Sequence, residues 1–280
     1  MTTHLLYAAT PLGSVAGEVI SEINVANWSS YYLAITNPAH QFKDHRFFGV
    51  SQELQTMLYL NILKKYGISV SEDALAAYAK AAEQSKPEIA EFYKRLREQV
   101  KTDEKSFTRT FFMNAYTADQ LKLTTFRKET DKINAERKKE AESIAAKLEK
   151  APGGFNSYKD KYPIKTIKAS MNNGIIVDTK NPEIVSIPLS VASQEAENVA
   201  KALKPSKSSK SVVSTREYFL IVKNRGKKGD DYLLDAIFIP KLSFDEWFQI
   251  EIKSIPVKIS DLKIKKDLLE RVSWVKNLKL

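Results

Sequence analysis

Residues 194–223 read QEAENVAKALKPSKSSKSVVSTREYFLIVK. Ala196, Val199, Ala200 and Leu203 recur at i, i+3, i+4 and i+7, which predicts an amphipathic helix. Pro205 cannot continue that helix, and the Lys/Ser-rich residues after it predict a solvated loop. Tyr218–Val222, rich in aromatic and β-branched residues, predicts a buried strand.

Working outward, Asp119–Thr124 is predicted to form a strand. Lys128–Lys150 is predicted to form a long charged helix buried through Ala141, Ile144, Ala145 and Leu148, which Pro152-Gly153-Gly154 ends. Phe155, Tyr158 and Tyr162 suggest a short second helix, and Met171-Asn172-Asn173-Gly174-Ile175-Ile176 a positive-φ turn. On the other side, Leu233–Ile239 and Phe248–Ile259 read as strands, the latter alternating Phe248, Ile250 and Ile252, with Ile255-Pro256 at a bulge or edge. Asp261–Leu280 reads as a basic amphipathic helix with Ile264, Leu268, Val272 and Val275 inward. Asn224–Asp231 is read as a hairpin turn rather than a metal site.

The helix ending in Leu203-Lys204-Pro205, the Ser211-Val212-Val213 step and the strand Glu217–Lys223 resemble the closing half of a parvulin domain. That family has a "Lys-Pro-Gly-x-x-Ser-x-Pro-Val" turn and a last strand of the type "Gly-Tyr-His-Ile-Ile-Lys". Ala141, Ile144, Leu148, Gly154 and Phe155 are similar to its first helix. The resemblance implies helices packed on an antiparallel or mixed sheet. It also implies a proline-binding pocket with a Met, a Phe and two histidines. Those positions fall on Ala192 and Ala196 for the pocket side chains and on Gln120 and Phe219 for the histidines. Rotating an X-Pro bond means lowering a barrier of about 20 kcal/mol, and with all four side chains changed the resemblance implies a degenerate site with no catalytic residue.

The N-terminal half is predicted helical. Val15–Ile20 reads as a short strand running into a helix. Leu54, Met57, Leu58 and Ile62 share one face of a helix over Gln52–Tyr66, with Gly67 as its left-handed stop. Ser71 is the expected N-cap of the next helix, whose first turn carries Glu72 and Asp73 and whose face continues through Leu75, Tyr78, Ala79 and Ala82. Ser85-Lys86-Pro87-Glu88 reads as a capping box before Ile89, Phe92, Tyr93, Leu96 and Val100. Asp103–Ala115 is predicted to form a short helix carrying Phe107, Phe111 and Phe112. The order Val15-Ala16-Gly17-Glu18-Val19-Ile20-Ser21 and the link Gly67–Asp73 resemble SurA-type chaperones, which carry "Val-Asn-Gly-Glu-x-Ile-Thr" and "Lys-x-x-Gly-Ile-x-Val-Ser-Asp-Glu-Glu". The resemblance implies an α+β chain: a helical chaperone module over 1–115, a parvulin-like domain over 116–226, and C-terminal strands and helix over 227–280 that return to the first module.

Composition narrows the chemistry. With 280 residues, 43% apolar and 28% charged, the chain is expected to fold, as two domains rather than one. No run approaches a transmembrane length, and Leu5–Ala9 is too short for a full signal peptide. Zero cysteines exclude disulfides and thiolate chemistry. The three histidines, His4, His40 and His45, read as surface residues rather than a metal site. No phosphate-binding, dinucleotide, nucleophile-elbow or zinc-protease motif is found, so no cofactor and no metal are expected. Net charge is +10, and residues 201–280 carry 18 Lys and Arg against 10 Asp and Glu. Without a nucleic-acid motif beside that charge, the expectation is a solvated face that makes weak contact with anionic membrane, not a specific nucleic-acid site.

The SurA- and PrsA-like resemblance implies an ATP-independent chaperone of the bacterial periplasm or cell envelope. Its partners would be unfolded or outer-membrane polypeptides, held by the aromatic candidates Trp28, Tyr31, Tyr32, Phe47 and Phe48. Two alternatives stand beside it: a divergent but active peptidyl-prolyl isomerase, and a basic scaffold for nucleic acid or anionic membrane.

Overall fold

The computed structural model describes residues 11–36, 45–169, 176–178, 204, 207–208, 212–215, 217–229 and 231–280. The N-terminal apolar stretch forms a hairpin, not one strand: β1 (Gly13–Val15) turns back into β2 (Glu18–Val19), with Val15 opposite Glu18. A two-residue loop between right-twisted strands needs positive φ at both positions. Ala16 (φ 50°) and Gly17 (φ 88°) supply it. β8 (Val257–Ile259) pairs with the other edge of β1, giving a three-stranded antiparallel sheet in the order β2-β1-β8. Val15, Val257 and Ile259 are buried.

The chain is α+β and divides into two compact units, one made of residues 1–127 and 244–280, the other of 128–243. In the first, α1 (Glu22–Ile35) starts where the Ser21 hydroxyl accepts from the Asn24 amide. α2 (His45–Lys65) buries Leu54, Met57, Leu58 and Ile62 and stops before Gly67 (φ 71°). α3 (Glu72–Glu83) is capped by Ser71, as the spacing predicts. α4 (Pro87–Val100) departs from expectation. Its N-cap is Lys86 and makes no side-chain cap bond, while the Ser85 hydroxyl donates to the Ala82 carbonyl. Proline at the first helical position, which needs no amide donor, starts this helix in place of a capping box.

The predicted strand over Asp119–Thr124 is helix. A helical path runs from Glu104 to Lys150 as α5 (Glu104–Phe107), α6 (Met113–Leu121) and α7 (Arg127–Lys150), joined by two wide π-type turns over Thr108–Phe112 and Lys122–Phe126. Each π turn absorbs an extra residue. The first lets Phe107 and Phe112 be fully buried while Phe111 stacks on Phe107 at 5.2 Å. Phe248–Ile259 is also corrected: Phe244–Ile252 is a helix, α8, and only Val257–Ile259 is strand. Trp247 and Phe248, adjacent in sequence, are both buried, which a one-sided strand cannot do. The basic C-terminal helix is α9 (Leu262–Arg271), followed by a tight 3₁₀ turn over Ser273–Asn277. Ile264, Leu268 and Val275 are buried, and Val272 is only partly so. α8 and α9 close onto α2 through Phe248 against Tyr59 (ring centroids 4.9 Å) and Arg271 over Phe47 (5.7 Å).

In the second unit the antiparallel sheet has the order β4-β3-β7-β6-β5, from β3 (Ile164–Ala169), β4 (Ile176–Asp178), β5 (Val213–Ser214), β6 (Tyr218–Lys228) and β7 (Asp231–Pro240). β6 and β7 form one hairpin across the boundary expected at 226, turning at Gly229 as the Asn224–Asp231 reading predicts, with a bulge at Asn224–Gly226. Alternation puts Phe219 opposite Ile239 and Ile221 opposite Ile237. These four pack with Ala141, Ile144, Ala145 and Leu148 of α7 and with Phe155. The predicted helix ending at Pro205 and the turn over 171–175 lie outside the described residues.

An alanine at left-handed φ is strained by about 1–2 kcal/mol, and asparagine tolerates that region better. Ala16→Asn is expected to raise unfolding stability by about 0.5–1 kcal/mol, seen as a higher urea midpoint at unchanged slope. A lower midpoint would show that residue 16 does not occupy the left-handed region.

Candidate functional site

Two of the four predicted pocket positions lie among the described residues, one in each unit. Gln120 lies on α6 in the first unit, on helix and not on the expected strand. Phe219 lies on β6 in the second unit, 5% exposed inside the core between sheet and α7, with the Lys241 ammonium 4.6 Å above its ring. Ala192 and Ala196 lie outside the described residues. The Phe219 position therefore serves packing. A histidine there would bury a polar ring against Ile221, Ile237 and Ile239.

The fold largely covers the aromatic client-binding candidates. Trp28, Tyr31, Tyr32 and Phe47 are buried, and Phe48 is half-buried with its ring 4.7 Å from Tyr32. Trp28 and Tyr31 belong to the core of the helical unit with Leu75, Ala79, Leu96, Phe107, Phe112 and Tyr116. Burial pushes the Tyr31 phenol up to about 12, so it stays neutral. Aromaticity marks these residues as large and apolar, but at this spacing that describes a core as well as a surface.

What the helical unit does present is a cleft of about 690 Å³ along the Gly67–Asp73 link. Gly67 ends α2, and the chain turns back through Ile68, Ser69 and Val70 before Ser71 caps α3. This leaves Leu60 of α2, Val70 of the link, Leu75 and Ala76 of α3, and Met113 of α6 around one apolar floor. Glu72 and Asp73 from the first turn of α3 line it too, as do Glu104, Lys105 and Arg109. The Lys105 ammonium reaches the Glu72 carboxylate at 2.9 Å, and this contact holds the Glu72 carboxyl below the usual range. A shallower recess of about 390 Å³ extends the floor past Leu63 and Ile68. The sequence signal for this cleft is the pair Ile68 and Val70, apolar residues in a link that lies outside either helix.

Beside it runs a polar seam. Glu53 on α2 is 6% exposed and accepts from the Asn24 side-chain amide at 2.8 Å. Asn114 donates to the Thr56 hydroxyl (3.1 Å), and Asn27 to the Thr110 hydroxyl (3.5 Å). Burial pushes the Glu53 carboxyl up, opposed by the Asn24 hydrogen bond and the Arg109 charge.

No cluster of three or more His, Cys, Asp or Glu suited to a metal occurs among the described residues, and no described helix is long and apolar enough to cross a membrane. No protein-family model matches the chain, and no curated protein gives a significant match.

Two outcomes follow from this geometry. Phe219→His should lower stability by about 2–4 kcal/mol by replacing a packed ring with a desolvated polar one, and should confer no prolyl isomerisation. An active, stable variant would restore the catalytic reading. For Glu53, the folded-state pKa lies above the unfolded one, so in the window between them the folded state holds the extra proton. The contribution of this site is greatest below the unfolded pKa and is lost as pH rises through the folded value. Glu53→Gln should therefore be more stable than the parent at neutral pH, with the gap closing in acid, as read from urea titrations across pH. A gap that widened in acid would mean that Glu53 is held as a stabilising anion.

Proposed function

We propose that this chain is an ATP-independent chaperone of the bacterial periplasm or cell envelope. It holds extended apolar segments of unfolded or outer-membrane polypeptides in the cleft beside the Gly67–Asp73 link. The observation that carries this reading is the cleft itself, lined by the aliphatic and thioether side chains of Leu60, Val70, Leu75, Ala76 and Met113 together with charged side chains that include Glu72, Lys105 and Arg109. Its volume suits several apolar side chains at once, and a flexible Met in the floor suits occupants of varied shape. An extended chain meets such a site with side chains inward and its backbone in water or against the charged side chains. The N-terminal hairpin, the Ser71-capped link and the C-terminal elements share the compact unit that bears the cleft, which fits the module that the SurA resemblance implies.

The test compares two activities of one preparation: suppression of aggregation of a denatured β-barrel outer-membrane protein, and acceleration of the proline phase of a short X-Pro peptide. The expected result is suppression without acceleration. Ala76→Arg, at an exposed position, should weaken client binding about tenfold, equivalent to ~1.4 kcal/mol, with an unchanged melting temperature. Equal suppression by this variant would move the holding surface elsewhere, and clear acceleration of the proline phase would make the protein an isomerase.

A further inference from the structure

The three-stranded sheet carries a second surface that shares no residue with the cleft. β2 and β8 both run antiparallel to the central β1, so both leave the sheet at its Gly13 end. There the Ile20 amide donates to the Gly13 carbonyl (3.0 Å) and the Ser260 amide to the Leu12 carbonyl (2.9 Å). Each strand then runs directly into a helix, β2 into α1 and β8 into α9. The two strands are two spacings apart, about 10 Å. The second residue of α1 and the first of α9 follow within four residues of these strand ends, and they are Ile23 and Leu262. Among the described residues these are the most exposed large apolar side chains, at 73% and 80%.

Their surroundings are apolar and charged: Glu22 precedes Ile23 in the chain, and the Lys266 ammonium lies 3.9 Å from the Glu270 carboxylate. Val19 of β2 is 59% exposed and shares a sheet face with Lys258, both flanking Ser14. On α9, Leu262, Lys266 and Leu269 follow i, i+4, i+7 along the face opposite the buried Ile264 and Leu268. Residues 258–266 read KISDLKIKK, four lysines against one aspartate. That aspartate, Asp261, is engaged as the N-cap of α9, accepting from the Lys263 and Ile264 amides.

We propose that this end of the sheet is a membrane-contact tip, placing Ile23 and Leu262 into the interface of an anionic bilayer while the lysines meet its headgroups. Side chains that protrude singly form no continuous groove or flat patch for a folded partner to pack on, whereas acyl chains close around any shape. The lysines complement the negative surface of such a bilayer, and the same charges disfavour a second copy of the chain as occupant. The tip goes beyond the holding activity and does not depend on it.

The experiment is flotation of the full chain with vesicles of phosphatidylcholine alone and of phosphatidylcholine with phosphatidylglycerol, at low and high salt. Binding is expected only to the anionic vesicles and should fall with salt. Ile23→Asp combined with Leu262→Asp should weaken it about a hundredfold or more, as loss of two inserted aliphatic side chains implies, with an unchanged melting temperature. Lys258→Glu combined with Lys266→Glu should weaken it as well and flatten the salt dependence. Absence of flotation, flotation of the double aspartate variant like the parent, or displacement of vesicles by a single-stranded oligonucleotide at matched charge would each overturn the proposal.

Discussion

The helical unit depends on the absence of a side chain at residue 13. β1 is hydrogen-bonded on both edges, and a Cβ on Gly13 would stand 2.0 Å from the Lys258 carbonyl oxygen, closer than any packing can absorb. With glycine there, residues 13–19 and 257–259 join in one sheet, although most of the chain lies between them. Closing so long a loop costs entropy that grows only slowly with length. Burial of Val15, Val257 and Ile259 on one face of the sheet offsets it. The consequence is a unit discontinuous in sequence, with residues 128–243 as an inserted unit that carries its own sheet and core.

A second constraint is the crowding of rings where the helical path from Glu104 begins. Tyr31 meets Phe107 and Phe111 edge-on at 5.5 Å, Tyr93 meets Phe112 at 5.0 Å, and the Arg97 guanidinium lies 5.4 Å from the Phe107 ring while pairing with Glu83. A regular helix turns 100° per residue, so Phe107, Phe111 and Phe112 would spread over about 140° of its surface. The wider π turn over Thr108–Phe112 narrows that spread. It costs hydrogen-bond geometry and gains aromatic packing of about 0.5–1.5 kcal/mol per pair. The polar seam of Asn24, Glu53, Thr56 and Asn114 lies on the α2 side of the same turn, so shape and polarity are both settled there.

How much of this is legible in the sequence depends on whether a local pattern has one reading or two. Ser71 before Glu72-Asp73, Gly67 after Lys65, and the Ala141–Leu148 stripe have one reading each, and the structure keeps them. Gln120-Leu121-Lys122-Leu123-Thr124 alternates like a strand, but only over a few residues, and the helix-forming segments on both sides carry the helical path through it. Phe248 and Ile252 fit period 2 and also period 3.6, and the burial of Trp247 decides for helix. Trp28, Tyr31, Tyr32 and Phe47 could not be placed by composition, because an exposed aromatic cradle and a buried aromatic core share the same letters. The cleft was hidden for a related reason. Its floor takes one or two residues from each of several segments, and only their assembly makes it a surface.

That division between rings and aliphatics bears on the proposed holding activity. A surface for unfolded chains must be apolar enough to bind and still not drive the protein to collapse or self-associate. Large rings exposed together raise the second risk most steeply, since each buries 150–250 Å² when covered. Here the rings are spent on rigidity, locking α1, α4 and the π turn around one cluster. The open floor is left to Leu60, Val70, Ala76 and Met113, which offer less area each and adapt more readily. Such a floor favours weak contacts distributed along an extended client over one deep anchor, and weak distributed contacts release a client without a nucleotide to drive the step. The ring cluster thus supports the cleft by stiffening its walls, and its burial is compatible with the holding reading although its members touch no client.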